Sequence, residues 1–281
     1  MNKLNFVFWG SPEVSSKTLE ILKEHQIMPS LVVTTPDRPK GRKLKLTPSP
    51  TKIWATENNI PFLAPEKIDK NFTDELLPYN FDLFIVVAFG KILPKSILDM
   101  PKFGSINIHY SLLPKYRGAS PLESAILNGD TETGITIQQM ESKMDSGPIL
   151  AVEKIQIAND INTQNLREKL ITLGGELLAK TLPEIYAQKI SPIVQNENDA
   201  TFCHKIQKDD GLIDLKDSAI KNYNKFRAYI EWPRTFFFEN NKRIIITEAT
   251  LENNIFKIKK VLPEGKKEIP YEIFLKNTQK D

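Results

Sequence analysis

The stretch DLFIVVA, residues 82–88, is apolar at every position after its first residue, so both of its faces require cover. In a parallel sheet, helices cover both faces of a strand, and such strands read as continuous apolar runs rather than alternating ones. Similar short runs flank it along the chain: LNFVFW at 4–9, SLVVTT at 30–35 and SINIH at 105–109. The stretch therefore predicts a buried strand of a mostly parallel sheet.

Segments with helical periodicity separate these runs, at residues 15–25 and 50–58. Alternation of strands and helices is typical of βαβ units, so we expect an α/β fold with a doubly wound, mostly parallel, Rossmann-like sheet. Residues 133–140 and 149–157 predict two more strands, and residues 162–188 predict a long helix.

A second, smaller domain is expected after residue 204. Residues 190–204, ISPIVQNENDATFCH, are polar, contain a proline and show no hydrophobic periodicity, which predicts a linker. Beyond it, a helix is expected over 216–230, and residues 235–251 predict two strands about the Asn-Asn turn at 240 and 241. We therefore divide the chain into a first domain over 1–189, a linker over 190–204, and a basic, β-rich domain over 205–281.

The composition bears on the cellular compartment and says little about the function. The chain has 281 residues, 40% of them hydrophobic, and a net charge of +3, which is typical of a folded protein of one or two domains. Its single cysteine, Cys203, cannot form an intrachain disulfide. No apolar stretch approaches the roughly 20 residues that span a bilayer. We expect a cytoplasmic, monomeric protein with no membrane association.

Nucleotide and metal sites lack their usual signals. The turn after the first strand is Gly10-Ser11-Pro12 and not Gly-x-Gly-x-x-Gly, and the sequence contains no phosphate-binding Gly-Lys-Ser/Thr loop. The three histidines, His25, His109 and His204, are far apart and show no ligand spacing. We therefore predict neither a nucleotide cofactor nor a metal ion.

Asn107 and His109 are polar residues inside the stretch 105–109. Because alternate residues of a strand share a face, both side chains lie on one side, and ligands of open parallel sheets bind beyond the carboxyl ends of strands. An amide and an imidazole placed there can donate hydrogen bonds to a developing oxyanion. They can equally satisfy backbone groups at the strand end, and the strand alone leaves both interpretations open.

Asp145 lies in the Gly-containing segment MESKMDSGP, residues 140–148, after a predicted strand. A carboxylate there can reach a neighbouring strand end and orient or charge an imidazole, although an aspartate in a turn more often forms the turn itself. The sequence shows no Ser or Cys nucleophile in a recognisable elbow. Together with Asn107 and His109, Asp145 thus indicates direct group transfer through a tetrahedral intermediate.

An ordered series of motifs completes this set: NIH at 107–109, SLLP at 111–114, YRG at 116–118, TGIT at 133–136 and MDSG at 144–147. The series resembles the formyltransferases that use 10-formyltetrahydrofolate. Within that family, DRPKGR at 37–42, TPSPTK at 47–52, ATF at 200–202 and Trp232-Pro233 are similar to the methionyl-tRNA formyltransferases. The resemblance covers nearly the whole chain.

The resemblance implies transfer of a formyl group from 10-formyltetrahydrofolate, as co-substrate, to the methionine of initiator methionyl-tRNA. It implies that Asn107, His109 and Asp145 are the catalytic residues. The residues implied to contact the folate are Ser111, Leu112, Leu113, Pro114, Phe89, Gly90 and Ile92.

A basic loop, residues 37–52, is the implied contact with tRNA. Between Asp37 and Glu57 the sequence has six basic residues and no acidic one. A charge run alone most often marks a solvated surface, but the resemblance implies that this one meets the tRNA acceptor end. The residues implied are Arg42, Lys40, Lys43 and Lys45.

The C-terminal domain resembles the small OB-like β-barrel of the family, and we expect it to be shortened because Ile255 follows Leu251 so closely. Its candidates for electrostatic contact with tRNA are Lys242, Arg243, Lys257, Lys259 and Lys260.

Two alternatives stay open. A formyltransferase acting on a nucleotide-linked amino sugar would share the Asn, His, Asp and SLLP elements but would not need the basic loop 37–52. A non-catalytic RNA-binding protein on the same scaffold would not need Asn107, His109 and Asp145 together.

Overall fold

The computed structural model describes residues 5–41, 44–79 and 81–278. The chain divides into two compact units: residues 1–117, 134–154 and 169–201 form the first, and residues 118–133, 155–168 and 202–281 form the second. The domain boundaries at 189/190 and 204/205 stay a prediction, because compactness alone does not define a folding domain.

Strands and helices alternate along the first half of the chain. The strands are β1 (Phe6–Gly10), β2 (Leu31–Val33), β3 (Arg38–Lys40), β4 (Lys45–Thr47), β5 (Phe62–Leu63), β6 (Leu83–Val87), β7 (Ser105–His109), β8 (Arg117–Gly118), β9 (Glu132–Gln139), β10 (Ile149–Gln156), β11 (Phe202–Cys203), β12 (Phe236–Glu239), β13 (Lys242–Glu252), β14 (Ile255–Pro263) and β15 (Ile269–Pro270). The α-helices are α1 (Glu13–Glu24), α2 (Pro50–Glu57), α3 (Lys70–Leu76), α4 (Lys95–Leu98), α5 (Pro121–Leu127), α6 (Thr163–Tyr186), α7 (Ala219–Ala228) and α8 (Tyr271–Thr278).

The main sheet has seven strands in the order β10-β9-β7-β6-β1-β2-β5. β1 pairs in parallel with β2 and with β6, and β7 continues the parallel arrangement beside β6. The chain therefore moves outward from β1 on one side and resumes on its other side, which confirms the predicted doubly wound α/β fold. β9 runs antiparallel to β7.

The predicted buried strand, 82–88, corresponds to β6, all of whose residues are buried. On one face Phe84 packs against Trp9, with ring centroids 5.1 Å apart. Helix α2 begins at a capping sequence. Ser49 accepts a hydrogen bond from the Lys52 amide, and Pro50 occupies the first turn.

The second unit contains a small antiparallel sheet in the order β12-β13-β14-β15. β12 and β13 join at Asn240 and Asn241, both with positive φ, as a tight hairpin turn requires. The predicted helix at 216–230 is α7. The small antiparallel β domain is thereby confirmed. In the described part of the chain β12 and β15 are the edges of this sheet, so closure into a shortened OB-like barrel stays a prediction.

Among the helices of the described residues, none combines the length with the apolar character that a bilayer crossing requires.

Candidate functional site

Four polar side chains share one face of the strand pair β7–β9. Asn107 lies opposite Gln138, and His109 lies opposite Thr136 in the antiparallel register. Directly opposed residues project to the same side of a sheet. His109, Thr136 and Gln138 are buried and Asn107 is half-buried. The Asn107 amide donates to the carbonyl oxygen of Val86 over 3.0 Å.

The His109 ring lies between two acceptors. Its Nε2 is 2.9 Å from the carbonyl oxygen of Tyr116, and its Nδ1 is 3.6 Å from Oδ1 of Asp145. Since a carbonyl only accepts, Nε2 carries a hydrogen. Burial lowers the pKa of His109, against the opposing effects of the Asp145 charge and the Tyr116 carbonyl. A neutral ring with its hydrogen on Nε2 leaves the lone pair on Nδ1, the nitrogen that faces Asp145.

The chain reverses direction after β9, and this reversal places Asp145 beside His109. Because β9 is antiparallel to β7, the end of β9 lies beside the start of β7, and residues 140–148 must run back to bring Asp145 beside His109. Gly147 permits the return, since a Cβ there would lie 1.8 Å from the carbonyl oxygen of Gln139. Asp145 has a φ of +52°, in the left-handed region, and its Oδ1 accepts from the Gln138 amide over 2.9 Å.

A cavity of about 200 Å³ lies directly beside this pair. Asp145 and Gln138 form part of its wall, and Ile92, which is 84% exposed, also lines it. The other lining residues are Lys91, Leu93, Leu98, Met140, Glu141, Ser142 and Met144. Its wall combines apolar side chains with polar ones, as the walls of small-molecule sites do.

The segment 111–114, predicted to contact folate, is fixed to β9 by the Thr136 hydroxyl. Thr136 Oγ1 donates to the Ser111 carbonyl over 2.7 Å and accepts from the Leu113 amide over 3.1 Å. The Ser111 hydroxyl donates to the Lys115 carbonyl. Residues 111–114 are not among those that line the 200 Å³ cavity.

Phe89 and Gly90 line a different cavity from Ile92, although the three are grouped in the sequence prediction. Both line a second cavity of about 390 Å³, with Ser11 and Thr35 at the carboxyl ends of the neighbouring strands. The Phe89 ring is 2% exposed and packs edge-on against Trp9, with centroids 5.4 Å apart. The structure thus brings Ile92 to Asp145, and Phe89 and Gly90 to another opening.

The basic loop contains a β-hairpin. β3 pairs with β4, so that Lys40 lies opposite Lys45, and both side chains are exposed. Neither forms an ion pair with a residue that the structure describes, whereas Arg38 pairs with Glu66 over 2.7 Å. Arg42 and Lys43 lie outside the described residues. Lys40 also lines the 390 Å³ cavity.

The candidate cations of the second unit are mostly paired with carboxylates. Lys257 and Lys259 both contact Glu252, and Lys260 contacts Glu248 at 2.7 Å. The Arg243 guanidinium lies over the Phe236 ring at 3.8 Å. We define Lys257, Lys259, Lys260, Glu248 and Glu252 as the β13–β14 charge cluster.

Three residues that contribute to the site were not singled out from the sequence. Gln138 lies two residues after Thr136 on β9 and therefore on the same face of the strand. The alternation of side chains along a strand could have identified it. Arg117 is fully buried, and its Nε and NH2 groups donate to Gln195 Oε1 over 3.1 and 2.8 Å. Gln195 lies in the stretch predicted to be a linker, where no sequence pattern marks it.

Within residues 5–41, 44–79 and 81–278, no group of three or more His, Cys, Asp or Glu side chains could hold a metal ion.

Comparisons with known proteins agree on one family. Residues 2–182 match the Formyl transferase family, and residues 205–269 match its C-terminal domain. The chain is 43% identical over 245 residues to a methionyl-tRNA formyltransferase of Staphylococcus epidermidis, covering 86% of this chain and 78% of that relative. It is 37% identical over 255 residues to one of Mesoplasma florum, covering 90% and 81%.

Solved structures share the fold. A methionyl-tRNA formyltransferase from Clostridium thermocellum superposes with a TM-score of 0.63 at 16% identity, covering 92% of this chain and 98% of that one. An N-formyltransferase from Helicobacter canadensis, in complex with folinic acid and dTDP-3-aminofucose, gives 0.67 at 22% identity, covering 93% and 94%.

Proposed function

Because the chain belongs to the methionyl-tRNA formyltransferase family, we propose that it transfers a formyl group from 10-formyltetrahydrofolate to the α-amino group of the methionine on initiator methionyl-tRNA. The observation that carries the proposal is the pairing of His109 Nδ1 with Asp145 at the wall of a cavity that combines apolar and polar groups.

Proton transfer is the first task that the pair can perform. The attacking amine must be neutral, so a proton has to leave its ammonium form. The lone pair on Nδ1 of His109 can accept that proton, directly or through a water, and the Asp145 carboxylate then stabilises the imidazolium. The amine nitrogen bonds to the formyl carbon, and the formyl oxygen becomes negatively charged.

Stabilisation of the oxyanion falls to Asn107 and to the protonated ring. One N–H of the Asn107 amide is used by Val86, and the amide has a second to donate. Each donor of this kind contributes roughly 3 kcal/mol to barrier lowering. When the intermediate collapses, the bond from the formyl carbon to N10 of the folate breaks, and N10 receives a proton from the His109 ring. The ring, neutral again, takes the remaining extra proton from the attacking nitrogen and passes it to solvent, which leaves a neutral formamide. No covalent enzyme intermediate is required.

The 200 Å³ cavity is the proposed site of the folate ring, with Ile92 on its wall. The predicted contacts through Ser111, Leu112, Leu113, Pro114, Phe89 and Gly90 remain part of the proposal. For the tRNA we propose contact with the exposed hairpin that carries Lys40 and Lys45, together with Arg42 and Lys43. Action as a monomer in the cytoplasm also stays a prediction.

The test measures formyl transfer from 10-formyltetrahydrofolate to three acceptors: initiator methionyl-tRNA, an elongator methionyl-tRNA and a nucleotide-linked amino sugar. We expect transfer to the initiator substrate alone. Formylation of the sugar without formylation of the charged tRNA would establish the alternative acceptor.

A second measurement assigns the residues. We expect His109→Ala and Asp145→Asn to lose turnover while tRNA binding, followed by filter retention, stays near that of the parent. Retained turnover with lost binding would reverse the assignment.

A further inference from the structure

We propose that residues 195–201, here called the brace, set the distance between Asp145 and His109, with Gln195 positioning the carboxylate and Thr201 positioning the imidazole. The expected effect on turnover rests on the function proposed above, whereas the expected effect on the distance between Asp145 and His109 does not.

Gln195 positions the turn that carries Asp145. Its Nε2 donates to the carbonyl oxygen of Asp145 over 2.9 Å and to that of Gly147 over 2.7 Å. These bonds hold the backbone at and just after Asp145, which itself has a left-handed φ of +52°. The Gln195 side chain is 6% exposed, so water cannot readily replace it.

Arg117 fixes which way the Gln195 amide points. A guanidinium only donates and a carbonyl only accepts, so the amide must turn Oε1 to Arg117 and Nε2 to the Asp145 turn. The Arg117 charge is balanced by Glu197 at 2.8 Å. Hydrogen bonding to Arg117, and then to Lys143, lowers the pKa of Glu197 to about 2.

Thr201 acts on the imidazole from the other end of the brace. Its Oγ1 accepts from the Tyr116 amide over 2.9 Å, and its carbonyl accepts from the Arg117 amide over 2.9 Å. Tyr116 also has a left-handed φ, of +59°, and its carbonyl oxygen is the group that receives Nε2 of His109. Both members of the pair are therefore positioned by one short segment.

The pair is sensitive to small displacements. At 3.6 Å, Nδ1 and Oδ1 are just beyond hydrogen-bond distance, and the interaction depends on where the two backbone segments hold them. A misplacement of 1 Å in a catalytic group can lower turnover roughly 100-fold. Gln195 and Thr201, whose bonds determine this distance, are thus positioning residues, although neither contacts a reacting atom.

The experiment compares matched substitutions at the two ends of the brace. Gln195→Met keeps the length of the side chain but removes its donors, and Gln195→Glu turns a carboxylate towards two carbonyl oxygens. Thr201→Val removes the hydroxyl, whereas Thr201→Ser keeps it. Asn196→Ala is the control, since Asn196 caps only the exposed turn at 197–199 within the same segment.

Two readouts separate positioning from a merely structural role. We expect Gln195→Met, Gln195→Glu and Thr201→Val to lower kcat roughly 100-fold with KM for both substrates unchanged, and Thr201→Ser and Asn196→Ala to match the parent. By NMR, the His109 ring should titrate at lower pH in the three impaired variants, because Asp145 and the Tyr116 carbonyl both raise its pKa.

The outcomes are distinguishable. Full activity of Gln195→Glu, or equal activity of Thr201→Val and Thr201→Ser, overturns the proposal, as does a rise in KM with unchanged kcat. If Gln195→Met does not fold, the Thr201 pair decides. If the parent does not formylate methionyl-tRNA, the proposed function fails, and the His109 titration alone decides whether the brace exists.

Discussion

Replacement of Thr136 by valine tests how the SLLP segment is held. The two side chains have nearly the same shape, so the change opens little space, but it removes the hydroxyl that joins β9 to the Ser111 carbonyl and the Leu113 amide. Both bonds are buried, and Thr136 has no exposed surface. Thr136→Ser keeps the hydroxyl and serves as the matched control.

The expected magnitude follows from the two groups left without a partner. A buried donor or acceptor that loses its hydrogen bond costs about 1–3 kcal/mol, so two cost about 2–6 kcal/mol. Proteins of this kind are stable by about 5–15 kcal/mol, which makes the loss large but survivable. The cost should fall on the first unit, and the Leu113 amide should exchange its hydrogen faster than in the parent.

The assay is urea unfolding together with amide exchange at Leu113 and the KM for the formyl donor. If residues 111–114 contact the folate, KM for the donor rises in Thr136→Val while KM for the tRNA does not. A valine variant as stable as the serine variant, with unchanged Leu113 exchange, would refute the reasoning that one hydroxyl fixes this segment.

Three further changes test other parts of the structure. Gly147→Ala places a Cβ 1.8 Å from a β9 carbonyl, so we expect lost turnover and a lower melting temperature. The double variant Lys40→Ala/Lys45→Ala should weaken tRNA binding uniformly and reduce its salt dependence, measured by titration at several salt concentrations, with donor KM unchanged. Glu197→Gln should melt below the parent near pH 7, because Arg117 lowers the pKa of the carboxyl from 4.5 to about 2; the difference should shrink as the pH falls below 4.5 and vanish near 2.

Local patterns predicted the strands that carry the site. β7 has the same bounds in sequence and structure, because a buried run between turn signals is decided by its own residues. The shared face of Asn107 and His109 follows from the two-residue period of any strand. Such features need no knowledge of what lies elsewhere in the chain.

Features that depend on distant partners were not predictable. Gln195 reads as part of a polar linker, and only its contacts with Arg117 and the Asp145 turn give it a role. In the same stretch Ile193 exchanges backbone hydrogen bonds with Ile149. The β3–β4 hairpin also escaped prediction, because proline, glycine and lysine are depleted in strands and the hairpin's pairing depends on the surrounding fold.

The β13–β14 charge cluster has a consequence for how such a surface responds to a polyanion. Its three lysines and two glutamates leave a net charge of only +1, and each lysine that turns to a phosphate must release a carboxylate. Binding there exchanges one anion for another, so the binding free energy is the difference between the free energies of the lysine–phosphate and lysine–carboxylate ion pairs. Removing the carboxylates by Glu248→Gln and Glu252→Gln should therefore tighten RNA binding more than adding a lysine elsewhere on the surface.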